Sequence, residues 1–382
     1  MEFPKIKITV SEICRRLCFL LIPVWIAFCF TLFALQYYFP SSYSSDLLLH
    51  IDIGKTGKNC YSIVYICLAL LDSLPFPGMF IALFLTFFMV LGIWAVKKLL
   101  EILMPNEDKW IIWLSALICN MVFPIFIMSI STFIMKGYLN FNVYHNPTYI
   151  AMKPFAILSV VCFYKIQNSY TKRCISLKEW LSFSLVMLIS ALCKPSFVFG
   201  FLLSLLIVLI ADFIKCKGKG IKNFVAVGTT AFPTAAVLLY QQAVLFDTES
   251  KIGIGFMTAL NAAVKHPVLK IIGSLIFPLV IVSLFYKDII KDKAYGFAWL
   301  NMGVSLFIMC CFYEQGDRLK HGNFFWSAYF FAGLLFIMSI YKFNQLIREK
   351  RVYPLVLSSV VLGIHFFCWL NYFMYILFSR FK

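Results

Sequence analysis

Long apolar runs separated by short polar ones organise the chain. Stretches of about 18 to 25 apolar residues, the length a helix needs to cross a bilayer core, can be drawn eleven times: 17–39, 78–100, 110–132, 148–166, 178–193, 195–213, 223–244, 269–286, 294–312, 324–341 and 354–378. The fifth and sixth are divided at Cys193-Lys194-Pro195-Ser196, because residues 180–211 carry no charge except Lys194 and are too long for one span. Proline restricts the residue before it and suits the first position of a helix, so the turn belongs there. The alternative, one kinked helix, changes the count and inverts everything after it.

Between the first two spans the pattern changes. Ser44-Ser45-Asp46 reads as a helix start, Leu47–Ile53 continues it, Gly54-Lys55-Thr56-Gly57 breaks it, and Asn59–Leu71 forms a second apolar-faced helix before Pro75-Phe76-Pro77. Helices too short to span lie along the interface. The expected fold is therefore all-α: one transmembrane domain over residues 1–382, a polytopic membrane bundle of about eleven transmembrane helices. Its first outer loop is 40–77, carrying two interfacial helices, and its second long outer loop is 245–268.

Composition agrees: 62% of the residues are hydrophobic, 18% aromatic and 13% charged, more apolar surface than a soluble chain of 382 residues can hide. The net charge of +17 would raise the question of nucleic acid in a soluble protein. Here the basic residues cluster between spans without an aromatic-basic module, which fits loops facing anionic lipid and not nucleic acid. With the N-terminus in the cytoplasm, 22 of the 34 Lys and Arg residues fall inside, including the run Lys215-x-Lys217-x-Lys219. That places the C-terminus outside, in a multi-pass protein of, by expectation, the bacterial plasma membrane. The first span lacks a small-residue cleavage site and reads as a retained anchor. The 13 cysteines lie mostly in apolar segments or cytoplasmic loops and read as packing residues.

This orientation puts most of the ionisable residues that matter on the outer side. Asp46 and His50, four apart, share one helical face, with Asp52 beside them. A polar hairpin between spans carries charge in any case. More specific is a repeated feature at the outer starts of inward-running helices: His145-Asn146-Pro147, Lys194-Pro195, His266-Pro267 and His321-Gly322. A helix N-terminus already carries partial positive charge and unpaired N–H groups, so a cation there is unfavourable unless an anion binds. Against this stands the plain reading that proline starts helices and that Lys or His snorkels to lipid headgroups. The run Tyr313-Glu314-Gln315-Gly316-Asp317-Arg318-Leu319-Lys320-His321 alternates sign in a way that suits hydroxyl and phosphate together, although a solvated turn looks similar. Tyr144, Tyr313, Trp326 and Tyr329 offer stacking surfaces. Strong metal motifs are absent; Asp46, His50 and Asp52 could still ligate a divalent ion, so no cofactor is required and a divalent metal is possible.

The loop of two interfacial helices after the first span, with Asp46 near its start, resembles that of the GT-C superfamily of membrane glycosyltransferases. The match covers the first hundred residues best and rests on architecture beyond them. The resemblance implies that Asp46, with His50, acts as general base or its positioning partner on an acceptor hydroxyl. It implies that Asp52, His145, Asn146, Lys194, His266, Glu314, Asp317, Arg318 and His321 supply substrate-binding groups. The donor would be a polyprenyl-phosphate sugar and the acceptor a glycan or lipid-linked glycan, within membrane lipid. Alternatives are a transporter or flippase of a lipid-linked glycan, which would need ionisable residues deep in the spans, where only Lys153 and His365 lie, or a polysaccharide polymerase.

Overall fold

The computed structural model describes residues 9–43, 45–126, 137–245 and 251–378. Within them run fifteen α-helices: α1 (Val10–Tyr38), α2 (Leu47–Thr56), α3 (Ile63–Asp72), α4 (Pro77–Leu103), α5 (Lys109–Cys119), α6 (Pro147–Ile166), α7 (Leu177–Cys193), α8 (Ser196–Lys215), α9 (Ile221–Gly228), α10 (Phe232–Tyr240), α11 (Thr258–Ala263), α12 (Pro267–Ile289), α13 (Lys293–Cys311), α14 (Phe325–Glu349) and α15 (Val352–Phe378). Among the described residues nine helical stretches are long and apolar enough to cross a membrane, counting Ile221–Leu245 as one. The protein is a polytopic, integral membrane helix bundle.

Burial sorts these helices. The apolar windows of α6 and α14 are 78% and 83% buried, against 28% for α1 and α15. Helices covered on all sides form the centre, and those covered on one side present the rest to lipid. Around α6 pack α4 and α7; α1 lies on α4, and α13 lies on α14 and α8.

Local chemistry explains most of the boundaries. Asp108 caps α5 by accepting from Trp110 N and Ile111 N, Ser176 and Glu179 form a capping box at α7, and Pro77, Pro147 and Pro267 occupy first-turn positions. Residues 178–213 are two helices, because Lys194 before Pro195 is extended, at φ −161° and ψ 122°.

The third expected span, 110–132, is corrected. Its helix ends at Cys119, where the Asn120 side chain donates to Ala116 O at 2.9 Å and so captures a carbonyl of the last turn. Pro124 then keeps Phe123 out of helical geometry, and the buried chain continues without helix to Phe126. Its last residues, like Ser44, lie outside the described residues. The seventh, 223–244, is interrupted by a 3-10 turn at Thr229–Ala231 and a π turn at Gln241–Leu245.

The loop helices are present as α2 and α3, but α2 runs through Gly54 and stops at Gly57, whose φ of 69° needs a glycine. Gly54 serves packing instead: a Cβ there would collide with Tyr65 O of α3. Residues 252–254 add what an all-α reading lacked, a strand β1 (Ile252–Ile254) paired antiparallel with β2 (Phe312–Glu314), Gly253 opposite Tyr313. All 13 cysteines are free. His365 is a core residue, its Nδ1 2.7 Å from Phe123 O.

Candidate functional site

Asp46 occupies the N-cap of α2, where an aspartate ordinarily accepts from the first backbone N–H groups of its own helix. Here Ser45 does that, its Oγ accepting from Leu47 N at 3.2 Å, and the Asp46 side chain makes no cap bond. The carboxylate is released to the start of α6. Asp46 Oδ2 accepts from Asn146 Nδ2 at 2.7 Å, while Asp46 N and Ser45 Oγ both donate to His145 O, at 2.9 and 3.1 Å.

Asn146 is itself the N-cap of α6. Its Oδ1 accepts from Thr148 Oγ1 at 2.8 Å and from Tyr149 N at 2.9 Å, so its amide nitrogen is left to face the carboxylate. Thr148 spends its one proton on Asn146 and offers a lone pair to Lys194, whose Nζ lies 3.4 Å from Thr148 Oγ1. Three hydrogen bonds thus join a carboxylate to an ammonium: Asp46, Asn146, Thr148, Lys194. Among the described residues, the other neighbour of the ammonium is the face of Trp326, with its centroid 4.4 Å away. Neither contact of Lys194 is an anion, and both hold a buried cation weakly.

An aromatic wall stands behind Lys194. Trp326 meets Tyr149, Tyr329 and His145 at centroid distances of 5.3, 5.5 and 6.1 Å. Tyr149 Oη and His50 Nδ1 are buried and have no hydrogen-bond partner among the described residues. Buried polar atoms are normally paired, so the cluster is short of partners in the way a binding site is.

Electrostatics set the protonation states. Burial drives the His50 imidazole down to about 3; Asp46 pulls it up, and Lys194 and His145 push it down further. His50 is neutral near pH 7, its ring tilted on Tyr65 at 4.7 Å. Burial lowers the Lys194 ammonium to about 8, with Asp46 pulling it back up. Burial likewise raises the Tyr61 phenol, a hydrogen bond with Tyr65 opposes this, and the charges of Asp46, Arg318 and Glu314 act on it in turn. Glu314 and Arg318 pair with each other 3.6 Å apart, and Asn323 donates to Glu314 at 2.6 Å.

The structure gathers Asp46, His50, His145, Asn146 and Lys194 and leaves the other candidates outside. Asp52 is exposed on α2, away from His50. Asp317 and His321 are exposed on the turn after β2, and His266 is exposed at the start of α12 with φ 52°. A cation next to proline or glycine at a helix start is thus shared by residues that converge and residues that do not. Among the described residues no three His, Cys, Asp or Glu side chains gather as a metal site, so Asp46, His50 and Asp52 do not form one.

Sequence reasoning missed Thr148, Tyr149 and the support beneath the site. Lys153, one face below on α6, donates to Asn120 Oδ1 at 2.8 Å and Asn142 Oδ1 at 2.7 Å and lies 3.9 Å from the Phe141 centroid. Asn142 Nδ2 in turn donates to Cys119 O at 3.1 Å and Val122 O at 2.8 Å. A buried lysine without a carboxylate is thereby satisfied by amide oxygens at the negative end of α5. It pins the segment leading up to His145 and Asn146. No protein-family model matches the chain, and no curated protein does.

Proposed function

We propose that the chain is a GT-C-type membrane glycosyltransferase, which moves a sugar from a polyprenyl-phosphate donor to an acceptor hydroxyl on the non-cytoplasmic side of a bacterial plasma membrane. In this reading α5 and α7 join the nine longer stretches as partial or short crossings, giving eleven with the N-terminus in the cytoplasm and the C-terminus outside. The observation that carries it is the hydrogen-bonded chain from the Asp46 carboxylate to the buried, anion-free Lys194 ammonium.

Glycosyl transfer from a lipid phosphate needs two opposite charges a short distance apart. Asp46 takes the proton of the acceptor hydroxyl as its oxygen bonds to the anomeric carbon; the bond from that carbon to the phosphate oxygen breaks, and the electron pair leaves on the phosphate. Lys194 is the cation placed to stabilise that leaving charge. Asn146 holds the Asp46 carboxylate in one orientation. Neutral His50 packs behind the acid as a positioning residue and takes no proton.

The carrier reading draws on Lys153, an ionisable group deep in the bundle. Its donors are already met by Asn120, Asn142 and the Phe141 ring, which leaves it no vacancy for cargo. Purified protein incubated with a panel of polyprenyl-phosphate sugars and acceptors tests the proposal. Release of free polyprenyl phosphate supports it, and loss of that release in Asp46→Asn ties it to the site. Transport without release would refute it.

A further inference from the structure

At the end of the bundle opposite α2 and α3, the last turns of α4 and α6, the α12–α13 connection and α14 enclose a pocket of about 370 Å³. One wall is apolar, Ile102 and Leu103 at the end of α4; the other carries the exposed ammonium groups of Lys291 and Lys293. The single acid in its lining, Asp292, is consumed. Its Oδ1 caps α13 by accepting from Ala294 N and Tyr295 N, both at 3.1 Å, and its Oδ2 faces Lys342 Nζ at 3.4 Å.

Lys342 lies beneath Asp292 and Tyr341, with a side chain only 6% exposed. Its ammonium has long contacts, 3.4 Å to Asp292 and 3.5 Å to the Tyr341 hydroxyl, against about 2.7–2.9 Å for a charge-assisted hydrogen bond. The Tyr341 ring adds a cation–π contact at 4.6 Å. With Asp292 shared between the α13 cap and Lys342, the pocket keeps an excess of positive charge. Two more lining groups are spoken for: Tyr164 donates to Ala294 O at 2.7 Å and Gln167 to Lys293 O at 3.2 Å, which braces the connection carrying the two lysines.

We propose that this pocket is a second binding site, separate from the Asp46–Lys194 cluster, and that it takes the phosphate headgroup of an anionic membrane lipid. Phosphate chemistry follows from the cations, and lipid as its source from the position. The pocket sits at the helix ends, where headgroups lie, and Ile102 and Leu103 set an apolar side next to its cations, the pairing that a headgroup with its acyl chains presents. Nothing in the assignment depends on the glycosyltransferase reading.

The test uses the full chain in neutral detergent, with its unfolding temperature followed as lipid is added. Phosphatidylglycerol should raise Tm in a concentration-dependent way and phosphatidylcholine should not, because a ligand of the native state stabilises it in proportion to its occupancy. Lys291→Gln with Lys293→Gln, both exposed positions, should leave the lipid-free Tm in place and abolish the shift. Lys217→Gln with Lys219→Gln, in the basic connection between α8 and α9, should keep the shift. Equal loss in the two double variants would reduce the effect to diffuse charge and overturn the site. Reproduction of the whole shift by inorganic phosphate alone would overturn the lipid assignment, and an equal response to both lipids would overturn the proposal outright.

Discussion

The variant Asn146→Asp replaces the amide nitrogen that faces Asp46 with an oxygen and leaves the side chain's shape unchanged. Aspartate caps a helix as well as asparagine does, so the bonds from Thr148 and Tyr149 N survive and α6 keeps its start. What is lost is the 2.7 Å bond to the carboxylate, a charge-assisted hydrogen bond of about 1.5–3 kcal/mol. In its place two carboxylates face each other, and such a pair retains a proton that neither group would hold alone. If that bond orients the base in the transition state, turnover falls by about 10- to 100-fold, since each 1.36 kcal/mol is a factor of ten. The like-charge pair adds to this by silencing the base near pH 7. The assay is release of polyprenyl phosphate from the donor, with Tm measured on the same preparation. Tm should change little in Asn146→Asp and fall in Asn146→Ala, which also loses the cap, about 1 kcal/mol. Wild-type turnover in a well-folded Asn146→Asp would show that Asp46 is not held by this amide and would remove the mechanism.

Further outcomes follow from the same geometry. Asp46→Asn should abolish transfer while Tm stays within a few degrees of wild type; retained transfer would dismiss the acid. Free Lys194 loses its charge above about pH 8, so kcat/KM for the donor should fall with rising pH through that value, and Lys194→Arg should move the fall beyond the accessible range. A limb that persists near pH 8 in the arginine variant belongs to another group. By linkage, the depressed lysine also makes the wild type gain stability as pH rises from about 8 toward the unfolded-state value, because the unfolded chain binds the proton more tightly there. Lys153→Met strands two buried amide oxygens and should destabilise the protein by about 2–4 kcal/mol, read as a lowered Tm. Gly54→Ala forces a methyl into the Tyr65 carbonyl and should cost about 1–3 kcal/mol, with a loss of turnover as α2 shifts.

Much of the site was legible because its signals are local. Lys194-Pro195 marks a turn by one charge and one proline in a long apolar run, and Asn146-Pro147 marks a helix start, so both residues could be singled out without knowing that they meet. His266-Pro267 carries the same signal and is exposed, because the motif sets a residue's height at a helix start and not the direction it faces. The stop of α5 was hidden from hydropathy, since Phe123-Pro124-Ile125 is as apolar as a helix; Asn120 and Pro124 were the available clues. Lys153 stood out as an interior exception, but its partners Asn120 and Asn142 are brought to it by tertiary structure. The β1–β2 ribbon was invisible for a related reason: three-residue strands have no readable period, and the partners are separated by two membrane helices.

The short α5 bears on how the protein can be made. Eleven helical residues rise about 16 Å, roughly half of a bilayer core, and the chain beyond must bring its backbone N–H groups to partners other than lipid. Two of those groups, Phe123 N and Ile125 N, donate to His365 O of α15 and Gly273 O of α12, which are synthesised much later. Gly273 admits this non-helical segment only because it lacks a side chain, as a Cβ there would lie 2.5 Å from Ile125 O. A nascent chain halted before residue 267 has neither acceptor, so Phe123 N and Ile125 N wait for their partners until the C-terminal third is made. The segment after α5 is thus closed by the end of the chain and not by its neighbours in sequence.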